Sequence, residues 1–302
     1  MQPTATLRHL SEETLNSIDT VREHRAQIEE WVERGALFVV SHSGGKDSQA
    51  MYAILRTLVP HDQIAVVHAN LGDQAEWTGT MEHAAANIDH PLEIAQAIWA
   101  KKDKKGNDNL ARFGRNKWLP DLIRQREQFP LPKTRQCTSD LKRGPIQKVI
   151  KRLSRETGRS LIIDCWGLRA EESSDRAAKV PVERAKSKGL NAAGREWITF
   201  LPVHSATLDQ VWTLIEESGQ TRHEAYDFGM SRLSCVFCIM ASNKDLKIAA
   251  KHNPTLLKLY SDLEDEVGHT FRNGQTLLDI VGQPEVEGDD IPFGDELCDT
   301  GA

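Results

Sequence analysis

Apolar residues recur at helical spacing over residues 11–33, where Leu15, Ile18, Val21, Ile28, Trp31 and Val32 fall on one face. Ser11 is placed to cap that helix, and Glu12 and Glu13 suit its positive end. Beyond Gly35, the apolar run 36–40 predicts a buried strand, and 49–58 predicts a helix closed by Pro60. Further strands are predicted at 64–69, 92–95, 161–166 and 198–203, with helical stretches near 75–87 and over 207–217. Residues 243–268 read as two helices broken at Asn253-Pro254. Short apolar strands alternating with helices imply an α/β fold, a doubly wound, mostly parallel sheet with a helical C-terminal region. The pattern divides the chain into an N-terminal helix (1–34), a main domain (35–242), a helical extension (243–280) and an acidic tail (281–302) expected to be flexible. In such sheets ligands bind beyond the carboxyl ends of the strands.

Composition narrows the class. Of 302 residues 39% are hydrophobic and 27% charged, which fits an ordinary globular chain. No apolar run approaches the ~20 residues needed to cross a bilayer, and 1–13 lacks a signal-peptide pattern, so a cytoplasmic, membrane-free protein is expected. The net charge is −6, but eight acids and no Lys or Arg follow Arg272, so residues 1–272 carry +2. Bulk charge therefore neither demands nor excludes a nucleic-acid partner. Five cysteines, Cys137, Cys165, Cys235, Cys238 and Cys298, argue for metal or redox chemistry over a disulfide framework.

The first strand ends in Ser43-Gly44-Gly45-Lys46-Asp47-Ser48. Two glycines let the main chain approach an anion, and the helix that follows aims free N–H groups at the same point. Ser43, Lys46 and Ser48 add hydroxyls and a point charge. The spacing is neither that of a Walker loop nor that of a dinucleotide fingerprint. His42 beside the loop reads as structural.

The hexapeptide closely resembles the pyrophosphate (PP) loop of the ATP-pyrophosphatase superfamily, which cleaves ATP between its α and β phosphates. The resemblance implies a Rossmann-like, adenine nucleotide alpha hydrolase-like fold. It also implies that Ser43, Gly44, Gly45, Lys46, Asp47 and Ser48 bind ATP, with Mg²⁺ and Lys46 neutralising the departing pyrophosphate and Asp47 serving the metal or fixing the loop. Residues 64–80, 133–145 (KTRQCTSDLKRGP), 167–176 (GLRAEESSDR), 202–212 and 229–238 are similar, in order, to the phosphoadenosine-phosphosulfate reductase-like branch, with Asn70 where an aspartate is usual. By that resemblance Asn70, Lys142, Glu172 and Ser173 join the ATP site, and Arg169 and Arg176 join Lys46 and Asp47 in catalysis. Guanidinium groups there can bind phosphate bidentately; a salt-bridged helix start is the plainer alternative.

Cys235 and Cys238 form a C-x-x-C, and with Cys137 they make a three-thiol ligand set. An iron–sulfur cluster of the 4Fe-4S type with one open iron suits sulfur transfer; zinc or free thiols are the competing readings. Iron–sulfur adenylyl-sulfate reductases carry a second cysteine where this chain has Thr138. Cys165 reads as a buried structural thiol. Sulfonucleotide reductases keep a catalytic Glu-Cys-Gly in their tail, whereas Cys298 sits in Asp-Glu-Leu-Cys-Asp and reads as non-catalytic.

The resemblance is nearest to the sulfurtransferase of Dnd- and Ssp-type DNA phosphorothioation systems. It implies ATP-dependent sulfur insertion into the DNA backbone, a cysteine desulfurase or other sulfur donor, and DNA with further modification proteins as partners. Alternatives are a phosphoadenosine phosphosulfate or adenylyl sulfate reductase, a tRNA thiolation enzyme, and a nucleotide-binding subunit without turnover. Oligomerisation stays open. Two basic stretches could form a nucleic-acid path or be solvated helix faces: Lys101, Lys102, Lys104, Lys105, Arg112, Arg115 and Lys117, and Lys142, Arg143, Lys148, Lys151, Arg152, Arg155 and Arg159.

Overall fold

Six apolar stretches, Leu37–Ser41 (β1), Ile64–Asn70 (β2), Leu92–Gln96 (β3), Leu161–Cys165 (β4), Val182–Arg184 (β5) and Glu196–Phe200 (β6), form one sheet ordered β3-β2-β1-β4-β6-β5. The computed structural model describes residues 6–102 and 108–282. Every pairing is parallel except that of β5 with β6. Ser41 pairs with Val67, Val40 with Cys165 and Cys165 with Phe200, so the carboxyl ends of the central strands lie level. Chain order reverses between β1 and β4. The loops leaving those two strands therefore share the crevice where doubly wound folds bind ligands.

The helices in chain order begin with α1 (Glu12–Asn16), α2 (Asp19–Glu23), α3 (Arg25–Glu33), α4 (Lys46–Leu58) and α5 (Thr80–Ala86). Then come α6 (Leu119–Arg126), α7 (Gly144–Thr157), α8 (Ser174–Ala177) and α9 (Leu208–Glu217). The chain closes with α10 (Asn243–His252), α11 (Pro254–Val267) and α12 (Leu277–Val281). Phe38 and Val40 of β1 face a core built with α1–α4 and α9, including Trp31, Tyr52 and Leu214. Leu37 and Val39, on the opposite face, pack with Ile150 and Leu153 of α7 and with Trp197. A third core joins α6, α10, α11 and α12 to the segment carrying Cys235. No described helix is long and apolar enough to cross a membrane.

Several expectations shift in detail. The helix expected over 11–33 is three helices. Side chains from elsewhere take the backbone groups at its breaks: Thr20 N–H donates to Ser205 Oγ (2.9 Å), and Gln210 Nε2 donates to Ser17 O (2.9 Å). Of 75–87 only Thr80–Ala86 is helical, because Gly79 at φ 77° turns the chain just before it. The strand expected at 198–203 runs over 196–200 instead and stops before Pro202, which has no N–H for the ladder. The short antiparallel β5, α6 and α7 carry no counterpart in the periodicity reading. A π-helical turn, Thr138–Arg143, precedes α7; Gly144 N–H donates to Ser139 O five residues back, just before Pro145. Residues 104, 105 and 298 and the tail beyond 282 lie outside the described residues.

Candidate active site

The Ser43–Ser48 loop is held closed by its own hydroxyls. Ser43 N–H donates to Ser48 Oγ (3.1 Å), which donates to Gly45 O (2.8 Å). Gly44 sits at φ 76°, and a Cβ there would lie 3.2 Å from Thr80 O. Lys46 N–H donates to Tyr226 Oη (3.0 Å), while the amides of Gly45 and Asp47 take no partner among the described residues. Free amides at the start of a 13-residue helix form an anion cradle.

Cations surround it. The buried Lys46 ammonium donates to Asp47 Oδ2 (3.2 Å) and Ser231 O (3.3 Å). Arg169, 5% exposed, donates through Nε to Asp47 Oδ1 (2.7 Å) and through a terminal nitrogen to Glu171. Both carboxylate oxygens of Asp47 are thus taken, so in this arrangement Asp47 fixes the loop. Arg176 pairs with Glu172, and its backbone N–H is capped by Ser173 Oγ (3.3 Å). Burial lowers the Arg176 pKa, and the like charge of Arg232, Arg135 and Arg169 adds to it while Asp47 opposes. Burial likewise lowers Lys46, with Asp47 opposing and Arg169 and Arg232 adding. Lys46, Arg169, Arg176 and Arg232 thus crowd together against Asp47, Glu171 and Glu172.

Beside them lies a cavity of about 130 Å³ lined by Ser43, Gly45, Asp47, Ser48, Glu172 and Arg176 of the predicted set; Gly44, Lys46, Arg169 and Ser173 are not among its lining residues. Ser41, Gly167, Leu168, Tyr226, Arg232 and Leu233 complete it and were not singled out by sequence reasoning. Arg232 had a signal, standing three residues before the C-x-x-C; Tyr226 had none. Gly167 is required by proximity: a Cβ there would lie 2.8 Å from Asp47 O. Asn70 and Lys142 are not brought to this cavity. Asn70 Oδ1 accepts from Gly72 N–H (2.9 Å) and lines a neighbouring cavity of about 360 Å³ with Thr80, Trp77 and Trp118.

Lys142 lies with the thiols instead. Its pKa is raised first by Cys235, then by Cys238, Cys137 and Glu76, against burial. Burial raises the Cys137 and Cys235 thiols, and Lys142 opposes in both cases. The three predicted ligands therefore form one electrostatic cluster around one cation. They are not packed as a closed zinc site: among the described residues only His61, Asp89 and His90 put three ligand atoms within 4.8 Å of one another. Tetrahedral zinc with ~2.3 Å bonds needs sulfurs ~3.8 Å apart. Cys165 is fully buried beneath the first core, apart from this cluster.

Two short segments join the two sites. Arg232 and Leu233 line the phosphate cavity, and Cys235 and Cys238 follow directly. Arg135, one of the charges acting on Arg176, precedes Cys137 by two residues and sits at φ 31°.

Buried histidines back the loop. Gly44 N–H donates to His42 Nδ1 (3.2 Å), and His83 hydrogen-bonds the Gly44 backbone. Burial pushes His42 down to about 3, with His68 and His83 adding. It pushes His83 down to about 4, with His223 adding. In β4, burial pushes Asp164 up to about 6 although the Trp166 and Trp197 indoles donate to it. The histidines, depressed on folding, contribute stability that is complete above pH 6.5 and lost as pH falls towards 4. Asp164, raised on folding, acts with the opposite sign between about 4 and 6. Near pH 5 unfolding therefore takes up protons at His42 and His83, as it does at His90 and His223, whose pKa burial also lowers, and releases one at Asp164, so on balance stability falls as the pH drops. Calorimetry should show Tm falling from pH 6.5 to 5; a flat profile would contradict these assignments.

The phosphoadenosine phosphosulfate reductase domain matches residues 37–241 of this chain. A 37.8 kDa uncharacterised protein of Escherichia phage 186 is 27% identical over 270 residues, covering 79% of this chain and 77% of its own. Among solved structures, the phosphoadenylyl-sulfate reductase of Candida auris, in its phosphate complex, aligns with TM-score 0.44 and 14% identity, over 76% of this chain and 97% of that one. The U34-tRNA thiolase NcsA of Methanococcus maripaludis, with its 4Fe-4S cluster, aligns with TM-score 0.35 and 12% identity, over 82% of this chain and 76% of that one.

Proposed function

Starting from the chain's membership of the phosphoadenosine phosphosulfate reductase domain family, we propose that it is an ATP pyrophosphatase and sulfurtransferase that inserts sulfur into the DNA backbone. The observation that carries this reading is the pair of shared walls. A cavity built for phosphate and a three-thiol cluster are linked by the segments 135–137 and 232–235. Sulfur chemistry beside an activated phosphate is the use such an arrangement has.

Replacing a non-bridging oxygen directly would expel oxide, which does not leave. The reaction instead starts with that oxygen attacking the α phosphorus of ATP. The α–β bond breaks and pyrophosphate departs with the bridging oxygen. The loop amides, Lys46, Arg176 and Arg232 stabilise the charge that gathers on it. Sulfur at the sulfide level then attacks the DNA phosphorus, and AMP leaves carrying the former DNA oxygen; sulfur delivered as a desulfurase persulfide reaches that level when an external thiol or iron–sulfur reductant supplies two electrons and the S–S bond breaks. Glu172, at the cavity wall, is the carboxylate that would hold a Mg²⁺ arriving with the nucleotide. Cys137, Cys235 and Cys238, wider apart than zinc needs, would hold an iron–sulfur cluster, whose chemistry is to accept and hand on sulfur from a desulfurase or other donor. Lys142 offsets the charge of the three ligating thiolates.

Arg176 and Arg232 at the cavity wall would equally suit the phosphates of a sulfonucleotide, so reduction of phosphoadenosine phosphosulfate is the second reading. Anaerobically purified protein separates the two. The proposal expects about four irons and four sulfides per chain, with pyrophosphate and AMP released from ATP. Release of sulfite from the sulfonucleotide, abolished by Cys298→Ser and without ATP cleavage, would replace it.

A further inference from the structure

The chain leaving β3 forms a ribbon that the reaction above does not use. Trp99 N–H donates to Arg115 O (2.9 Å), Gly114 N–H to Trp99 O (3.1 Å) and Asn109 N–H to Lys101 O (2.7 Å). Bridges Ile98–Asn116 and Lys102–Asp108 complete a two-stranded ladder. Backbone pairing makes its described part a shaped surface rather than a loose loop. Trp99 is 4% exposed, with the Arg112 guanidinium 5.0 Å and the Lys117 ammonium 4.5 Å from its ring centre. The indole therefore holds two cations in place at the rim.

The described part of the ribbon carries Lys101, Lys102, Arg112, Arg115 and Lys117 against one acid, Asp108. Lys101, Lys102, Arg112 and Arg115 make no ion pair among the described residues. The second basic stretch is compensated in part: Arg152 pairs with Glu93 and Glu156, Arg159 pairs with Asp62 and Lys142 faces the thiols, while Arg143, Lys148, Lys151 and Arg155 make no ion pair among the described residues. Between the free cations stand exposed apolar side chains, Ile98 at 51%, Leu110 at 65% and Phe113 at 52%, with Lys101 Nζ 5.4 Å from the Phe113 ring centre. The ribbon borders a cleft of about 650 Å³ whose charged walls are Lys102, Lys117, Arg126 and Lys148 against Glu127 and Asp140, and which reaches Ser139, two residues beyond Cys137. The cleft thus runs from the ribbon to the segment that carries the first thiol.

We infer that this ribbon and cleft bind a single-stranded stretch of nucleic acid, with Phe113 stacking on a base and Lys101, Lys102 and Arg112 on the phosphates. Uncompensated cations alone suit any polyanion. An exposed ring among them suits one that presents flat π faces, as unpaired bases do and as duplexes, acidic peptides and lipid headgroups do not. The inference deepens the proposed function by locating the acceptor strand, and it rests on that reading only for its purpose.

The test is fluorescence anisotropy of the full-length protein with a labelled oligodeoxynucleotide of roughly 20 residues, spanning more than one ~4–16-nucleotide binding site, at about 50 and 200 mM salt. Wild-type protein should bind with a steep salt dependence. Phe113→Ala should weaken binding about tenfold, and Lys101→Ala with Arg112→Ala should lower the salt slope by about 1.4, the single-strand value for two phosphate contacts. Basal ATP hydrolysis measured with no strand present, in which water takes the place of the acceptor oxygen, should stay unchanged in these variants. Wild-type affinity in Phe113→Ala overturns the inference. So does equal binding to a polyglutamate peptide or to phosphatidylserine vesicles. Strand binding without any ATP cleavage leaves the inference standing and removes the proposed function; ATP cleavage without strand binding does the reverse.

Discussion

Arg169→Met is expected to cost about 3–5 kcal/mol of folding stability and to depress pyrophosphate release from ATP with it. Arg169 is almost fully buried, and its Nε donates to Asp47 Oδ1 at 2.7 Å while another nitrogen reaches Ala206 O at 3.4 Å. Methionine fills much of the space but leaves the Asp47 carboxylate half-compensated beside the phosphate cavity. The loop would then lose the pin that sets its first helical turn. Lysine should rescue poorly, because one ammonium cannot reproduce two divergent donors. Urea titration reads the stability and a pyrophosphate assay reads the rate. An unchanged urea midpoint would show that the ion pair holds nothing.

Lys46→Ala should separate the two effects. Its ammonium is 4% exposed in the side chain and held by Asp47 and Ser231 O, so it is poised before any ligand arrives. Asp47 keeps Arg169 as a partner in the variant, so the fold should survive. The rate of ATP cleavage should fall about 10²–10³-fold, as when one preorganised charge donor is lost. The loss should appear in kcat more than in KM, because the charge grows on the departing group. A variant that turned over normally with a raised KM would assign Lys46 to ground-state binding alone.

How much of this was legible beforehand follows from where each signal is encoded. The loop Ser43–Ser48 and its flanking strand and helix are local, and the structure keeps them together because glycine, strand and helix start each act over a few residues. The side chains that complete the cavity are not local. Gly167 matters only because β4 lies beside β1, and Tyr226 only because its hydroxyl accepts the Lys46 and Leu233 amides. Lys142 was assigned to phosphate by its place in a motif, but a π-helical turn sets it among the thiols. Asn70 likewise spends its side-chain oxygen on the Gly72 turn. The N-terminal helix was misjudged in length because periodicity registers a buried face but not the hydrogen bonds from Ser205 and Gln210 that interrupt it. Helix α6, eight residues long and polar on most of its surface, gives a pattern too short to stand out.

The spacing of Arg232 and Cys235 has a kinetic consequence. Three residues can span no more than about 10–11 Å of chain, so under the proposed sulfur transfer a sulfur held at the thiols would already be tethered near the reacting phosphorus. No long pivoting carrier is needed, and delivery is a matter of a short hop across a rigid partition. Lengthening that partition by even a few residues would uncouple nucleotide cleavage from delivery and leave an enzyme that burns ATP to no purpose.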